Sequence, residues 1–227
     1  MEARLTNIDL DEALRYAGCR GAPDPALRAE AAKCAETLLR ACRPRLVWRL
    51  FPLSPAPEGL LLEGSELCLT GRDIAAHLAG CGQAVLLAAT LGAESETLLL
   101  RAQRRDMAEA LLLDACAGAA IENVCDNFCA DLSDNVAPLR LTARFSPGYG
   151  DLPLSLQRGV LDALNAHRRI GLSLTDSGLM LPQKSVTAVI GLSAEAGAPA
   201  AGHHCEGCSM YGRCPYQNCS VPASLGY

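Results

Sequence analysis

Two stretches of the sequence combine residue types at spacings that can do chemistry. The first is Arg144-Phe145-Ser146-Pro147-Gly148-Tyr149-Gly150-Asp151. Pro147-Gly148 forces a turn, and Gly150 lets backbone approach a ligand closely because it has no Cβ. Exposed N–H groups of such a turn receive carboxylate or phosphate oxygens. Arg144 can pair bidentately with a carboxylate, and Tyr149 offers a ring face and a hydroxyl. The turn suits a zwitterionic or anionic small ligand; read blandly, it is an ordinary strand-to-helix connection with a surface arginine. The second stretch is the tail, His203-His204-Cys205-Glu206-Gly207-Cys208 followed by Cys214 and Cys219, a C-x2-C-x5-C-x4-C spacing. Cys205, Cys208, Cys214 and Cys219 are four soft ligands. They suit a tetrahedral zinc that clips a segment without its own core, or a [4Fe–4S] cluster. A thiol-bearing tail with no metal, or a redox-sensitive pair, also accounts for them.

The remaining candidates read as packing or surface. Cys19, Cys34, Cys42, Cys68, Cys81, Cys116, Cys125 and Cys129 are scattered among apolar or helical residues, where cysteine behaves as a small hydrophobe. His77 and His167 fall on expected helices as surface or satisfied side chains. Arg101, Arg104 and Arg105 form a solvated helix face that can meet an acidic partner.

The elements that must position these residues follow from pattern. Residues 9–16 form a short helix. Asp24 caps a second, with Pro25 in its first turn and Leu27, Ala31, Cys34, Leu38 and Ala41 along one face to about Cys42. Residues 46–51, 59–63 and 66–69 read as an antiparallel meander, with the proline-rich stretch 52–58 and Gly64-Ser65 as its turns. Thr70 caps a helix over 73–79, and 83–89 is a strand buried on both faces. Residues 95–105 and 107–132 are helical, 139–145 is a strand, 154–167 a helix and 185–192 a last strand. The expected class is α+β, a largely antiparallel twisted sheet with flanking helices. The expected organisation is one domain over 1–193, a small-residue linker over 194–202 and a Cys-rich tail over 203–227.

Composition narrows the function classes. The chain has 227 residues, 50% hydrophobic and 20% charged, enough to bury a sizeable core. Its net charge of −5 argues against a nucleic-acid surface. The most apolar windows are about half the ~20 residues of a spanning helix, and the N-terminus does not read as a signal peptide. A cytoplasmic chain with no membrane and no nucleic-acid partner is expected.

The run from Arg144 to Leu154, with its intact R-x-x-P-G-Y core, resembles the S-adenosylmethionine-binding signature of the activation domain of cobalamin-dependent methionine synthase. Gly171-Leu172-Ser173-Leu174-Thr175-Asp176-Ser177, Met180-Leu181-Pro182 and Lys184-Ser185-Val186-Thr187 resemble further family segments, in the same order. The resemblance spans most of residues 8–192.

It implies a stand-alone reactivation subunit that binds S-adenosylmethionine and docks in trans on the cobalamin-binding module of methionine synthase, within a methyltransferase system. In that family cob(II)alamin takes one electron from a reductant and a methyl group from S-adenosylmethionine, giving methylcobalamin. By the same resemblance Arg144 would hold the methionyl carboxylate, and the backbone of Ser146, Pro147, Gly148 and Tyr149 would line the ligand. Asp9 would match the acid near the domain start. The family's acid on the preceding helix falls near Gly118, with Glu122 one turn later. A cluster in the tail would make the protein an iron–sulfur electron carrier to corrinoid proteins. A non-catalytic docking module for such a protein is the remaining alternative.

Overall fold

The computed structural model describes residues 3–194; most of the linker and all four tail cysteines lie outside them. In chain order the elements are α1 (Leu10–Tyr16), α2 (Pro25–Ala41), β1 (Arg45–Ala56), β2 (Gly59–Leu62), β3 (Cys68–Leu69), α3 (Arg72–His77), β4 (Cys81–Thr90), α4 (Ala93–Arg105) and α5 (Met107–Val136). They continue as β5 (Arg140–Leu141), α6 (Leu156–Leu164), α7 (Ala166–Ile170), β6 (Ser173–Leu174), β7 (Met180–Leu181) and β8 (Ser185–Ser193). The class is α+β, as expected.

Six strands form one sheet in the order β3-β2-β1-β4-β8-β5, and β6 and β7 make a separate antiparallel pair. The pairs β1–β2, β2–β3 and β5–β8 are antiparallel. Both edges are strands of two residues, which leaves little unpaired backbone for another chain to join. The chain divides into two compact units. Of the described residues, one is built from 3–47, Ala89–Asp131 and Ala166–Val186, the other from Trp48–Ala88, Leu132–Asn165 and 187–194.

Strand β4 carries the core. Ala84, Val85, Leu86, Leu87, Ala88 and Ala89 are all fully buried, so alternate side chains are covered on both faces, as a continuous apolar run requires. In β8, Ala188, Val189 and Ile190 are likewise fully buried. No helix among the described residues is long and apolar enough to cross a membrane.

Helix α2 begins where its sequence says it should. Asp24 accepts a hydrogen bond from the Ala26 N–H at 2.8 Å, and Pro25 occupies the first turn. Ala31, Cys34, Ala35 and Leu38 form its buried face. Replacing Asp24 with Ala is expected to cost about 1 kcal/mol, the usual value of such a cap, read as a shift in the urea midpoint at unchanged slope.

Three expectations are corrected. First, β1 does not stop before the prolines but runs through Pro52 and Pro55 to Ala56, leaving Pro57-Glu58 as the hairpin turn. Pro52 still accepts the Glu63 N–H at 3.0 Å, the half of a ladder pair that needs no donor from proline. Second, the helix expected over 154–167 is two helices. Asn165 between them is left-handed (φ 51°), a conformation asparagine adopts at helix ends, and its N–H closes on the Asp162 carbonyl. The basic residues and Gly171 then end α7. Third, the strand expected over 139–145 is only Arg140–Leu141 plus an isolated bridge at Phe145.

None of the eight described cysteines is in a disulfide with another described one, and Cys34, Cys42, Cys116 and Cys125 are buried. Burial pushes the Cys116 thiol up to about 12, an inert packing cysteine. Among the described residues no group of three or more His, Cys, Asp or Glu side chains is placed to hold a metal ion.

Candidate functional site

A change of register delivers Arg144 to the turn. Arg140 opposes Ser193, Leu141 opposes Leu192, and the Thr142 N–H donates to the Gly191 carbonyl at 3.0 Å. Continued in step, Phe145 would oppose Ala188. Instead it opposes Val189, through reciprocal bonds of 2.9 and 2.8 Å. Ala143 and Arg144 therefore face a single partner residue, the arrangement of a β-bulge, which re-aims the side chains it carries. Thr142 makes the bulge possible: its hydroxyl, rather than its carbonyl, accepts the Gly191 N–H at 2.8 Å.

Beyond Phe145 the chain closes on itself. The Tyr149 N–H donates to the Ser146 carbonyl, the Leu152 N–H to the Tyr149 carbonyl and the Gly148 N–H to the Leu152 carbonyl, at 2.9–3.0 Å. Gly148 (φ +93°) and Gly150 (φ +52°) supply the left-handed steps this path needs. The Gly148 and Tyr149 donors are thus used within the turn. The N–H groups of Ser146 and Gly150 make no hydrogen bond among the described residues, and these are the donors left for a ligand. Arg144 is half-buried and Tyr149 half-exposed. The Tyr149 ring stands edge-on to Phe145 at 6.1 Å, and Phe145 packs on His77 at 5.0 Å.

The helix expected to start with a Thr70 cap starts otherwise. The N-cap of α3 is Gly71, which offers no side chain; the cap is Asp151, whose carboxylate accepts the Arg72 N–H at 2.7 Å and the Asp73 N–H at 3.0 Å. Burial works to raise the Asp151 pKa. The amides of Arg72 and Asp73, its own amide and the Arg72 charge outweigh it and hold the carboxyl below the usual range. A depressed carboxyl stabilises the fold above its unfolded pKa of about 4, and that contribution is lost as pH falls through the folded value.

His77, at the other end of α3, lies 2.8 Å from the Ala143 carbonyl and 2.9 Å from the Thr142 hydroxyl through Nε2. A carbonyl only accepts, so this assigns the proton to Nε2. The satisfied role expected of His77 holds, and His167 is exposed.

The first unit carries a separate feature, a cleft of about 380 Å3 along one face of α5. Its lining includes Tyr16, Asp114, Gly118, Glu122 and Lys184. Lys184 Nζ pairs with Asp114 at 2.9 Å. The Tyr16 ring covers Gly118 so closely that a Cβ there would lie 3.2 Å from its Cδ2. Where the family resemblance sets an acid, this chain has a glycine under an aromatic ring, and Asp114 and Glu122, four residues to either side of it on α5, are helix acids of the cleft lining. Burial, then the hydrogen bond to Glu12, then the charge of Glu122 push the Tyr16 hydroxyl well above the usual tyrosine range.

Asp9, the other expected acid, also belongs to the first unit. Its Oδ1 caps α1, accepting the N–H groups of Asp11 and Glu12 at 2.9 and 3.0 Å. The structure therefore brings Arg144, Ser146, Pro147, Gly148 and Tyr149 together in the second unit and places Asp9 in the first. Cys205, Cys208, Cys214 and Cys219 lie outside the described residues.

The family-like segments downstream build local structure. The Thr175 hydroxyl meets Ser177 Oγ at 2.8 Å and accepts the Leu179 N–H at 3.0 Å, closing the β6–β7 hairpin. The Ser185 hydroxyl donates to the Pro182 carbonyl at 2.7 Å at the start of β8.

No protein-family model matches the chain, and no curated protein matches it. Among solved structures, the crystal structure of the MetH reactivation domain bound to AdoHcy matches with a TM-score of 0.57. The match covers 84% of this chain and 78% of that one at 15% identity. The two share a fold. At that identity the likeness is one of architecture, and it accords with the class read from the sequence.

Proposed function

We propose that the protein binds S-adenosylmethionine through the turn at Arg144–Gly150 and serves the reactivation of a cobalamin-dependent methionine synthase. The observation that carries this reading is the turn itself. Within seven consecutive residues lie one half-buried arginine, one half-exposed ring and two backbone N–H groups that bond to nothing else among the described residues, on a fold like that of the MetH reactivation domain. Arg144 and the Ser146 N–H suit the carboxylate of a methionyl group, and Tyr149 offers its ring to the sulfonium or the base.

S-adenosylmethionine supplies an electrophilic methyl group, and cobalamin on a partner module supplies the metal that receives it, after reduction by a one-electron donor. Methyl transfer to a metal removes no proton, so the residues of this chain bind and orient the ligand and none need act as a base. Support for the partner is the fold likeness to a domain of methionine synthase.

Titration calorimetry tests the reading. The protein should bind S-adenosylmethionine, and Arg144→Ala should weaken binding by about tenfold or more, the scale of a lost charge-assisted pair. Absence of binding, with a cobalamin module present, would overturn it.

A further inference from the structure

We propose that α3 is the positioning element of the ligand turn, gripping the segment 143–151 at both ends, with Asp151 as its principal clamp. The inference rests on the S-adenosylmethionine reading for its consequence and on the geometry of the second unit for its structure.

Four observations meet here. The first turn of α3 has no cap of its own, so the Arg72 and Asp73 N–H groups depend on Asp151, 79 and 78 residues away in the chain. The last residue of α3, His77, holds the Ala143 carbonyl immediately before Arg144. Arg144 to Gly150 is thus bracketed by three hydrogen bonds to one six-residue helix, two at Asp151 and one at Ala143.

Glycines on both sides allow the approach. A Cβ on Gly71 would lie 2.5 Å from Asp151 Oδ1, and one on Gly150 2.2 Å from Asp73 Oδ2. Finally, Asp151 lies inside the loop closed by the Gly148-to-Leu152 and Leu152-to-Tyr149 bonds. Moving Asp151 therefore moves the backbone on which Tyr149 and the Gly150 N–H stand. Asp151 acts through those groups and need not touch the ligand.

Asp151→Asn tests the clamp. Its amide oxygen can take one of the two N–H groups, and its NH2 then faces the other as a second donor. S-adenosylmethionine affinity should fall by about tenfold in calorimetry, the scale of losing one charge-assisted hydrogen bond. In an Arg144→Ala background the same substitution should cost little more, because both act through one bound arrangement of the turn. Equal and additive losses in the two backgrounds would mean a merely structural role and overturn the proposal. A second measurement needs no ligand. The backbone amide resonances of Arg72 and Asp73, and those of residues 146–150, should shift together in Asp151→Asn. If wild-type protein binds no S-adenosylmethionine, the functional reading falls, and these resonances still decide the clamp. Shifts confined to Arg72 and Asp73, with 146–150 unmoved, would refute it.

Discussion

Gly150→Ala is expected to lower the thermal midpoint by about 5–15 °C, from a loss of roughly 2–4 kcal/mol in a chain of this size. Two terms add. Gly150 is left-handed (φ +52°), which costs a residue with a Cβ about 1 kcal/mol or more. The new methyl would also lie 2.2 Å from Asp73 Oδ2 and 2.9 Å from Asp73 Cβ. The carboxylate can swing away, but its Cβ moves only with the α3 backbone, and overpacking of this kind costs about 1–3 kcal/mol. Gly178→Ala is the control: Gly178 is also left-handed (φ +84°), with nothing within 4 Å of its would-be Cβ. It should show the conformational term alone. In an Asp73→Gly background the cost of Gly150→Ala should shrink toward that of Gly178→Ala, because the obstructing Cβ and its carboxylate are both gone. Equal midpoints for Gly150→Ala and Gly178→Ala, read by calorimetric scanning, would show that the turn does not lie against α3.

Leu87→Ala should cost about 2–5 kcal/mol in urea denaturation, the range for emptying a buried leucine site. Leu87 is fully buried in β4, and its neighbours Val85, Leu86, Ala88 and Ala89 are buried as well. A strand so enclosed cannot collapse onto the space left by three lost carbons without shifting its own ladder, so the cavity term persists. Leu100→Ala is the contrast. That side chain is 51% exposed on α4, and its removal should change stability by no more than about 0.5 kcal/mol. Comparable losses for the two would contradict the burial of β4.

Much of this architecture is legible residue by residue. Asp24-Pro25 announces α2 because a cap and a pre-set φ are local properties. The unbroken run Ala84–Ala89 announces a strand covered on both faces because nothing polar interrupts it. Pro147-Gly148-Tyr149-Gly150 announces a turn with open backbone for the same local reason. Where the structure departs from the local pattern, a distant partner decides. Pro52 and Pro55 look like breakers, yet β2 asks Pro52 only for its carbonyl. Thr70 looks like a cap, but α3 takes its cap from Asp151. The strand expected to reach Phe145 is interrupted because the Thr142 hydroxyl takes the place of a carbonyl opposite Gly191.

The candidate site divides in the same way. R-x-x-P-G-Y marks its residues, and the chemistry of a guanidinium, a ring and a bent backbone follows from their types. Which N–H groups remain for a ligand could not be read from the chain. Gly148 and Tyr149 look as available as Ser146 and Gly150 until the closing bonds with Leu152 and Ser146 are seen. Gly118 likewise looks like a missing acid until the Tyr16 ring is found over it.

By itself, then, the sequence determined the α+β class, the buried strand, the helix caps that lie within a few residues of their helices, and the residue types of the candidate turn at 144–151. All of these depend on periodicity or on neighbours in the chain. The tertiary structure alone decided the bulge that delivers Arg144, the α3 clamp on Asp151, and the placing of Asp9 in a different unit from Arg144. Each depends on a hydrogen-bond partner or a packing neighbour tens of residues away, and backbone donors and acceptors do not reveal their partners until the chain has folded.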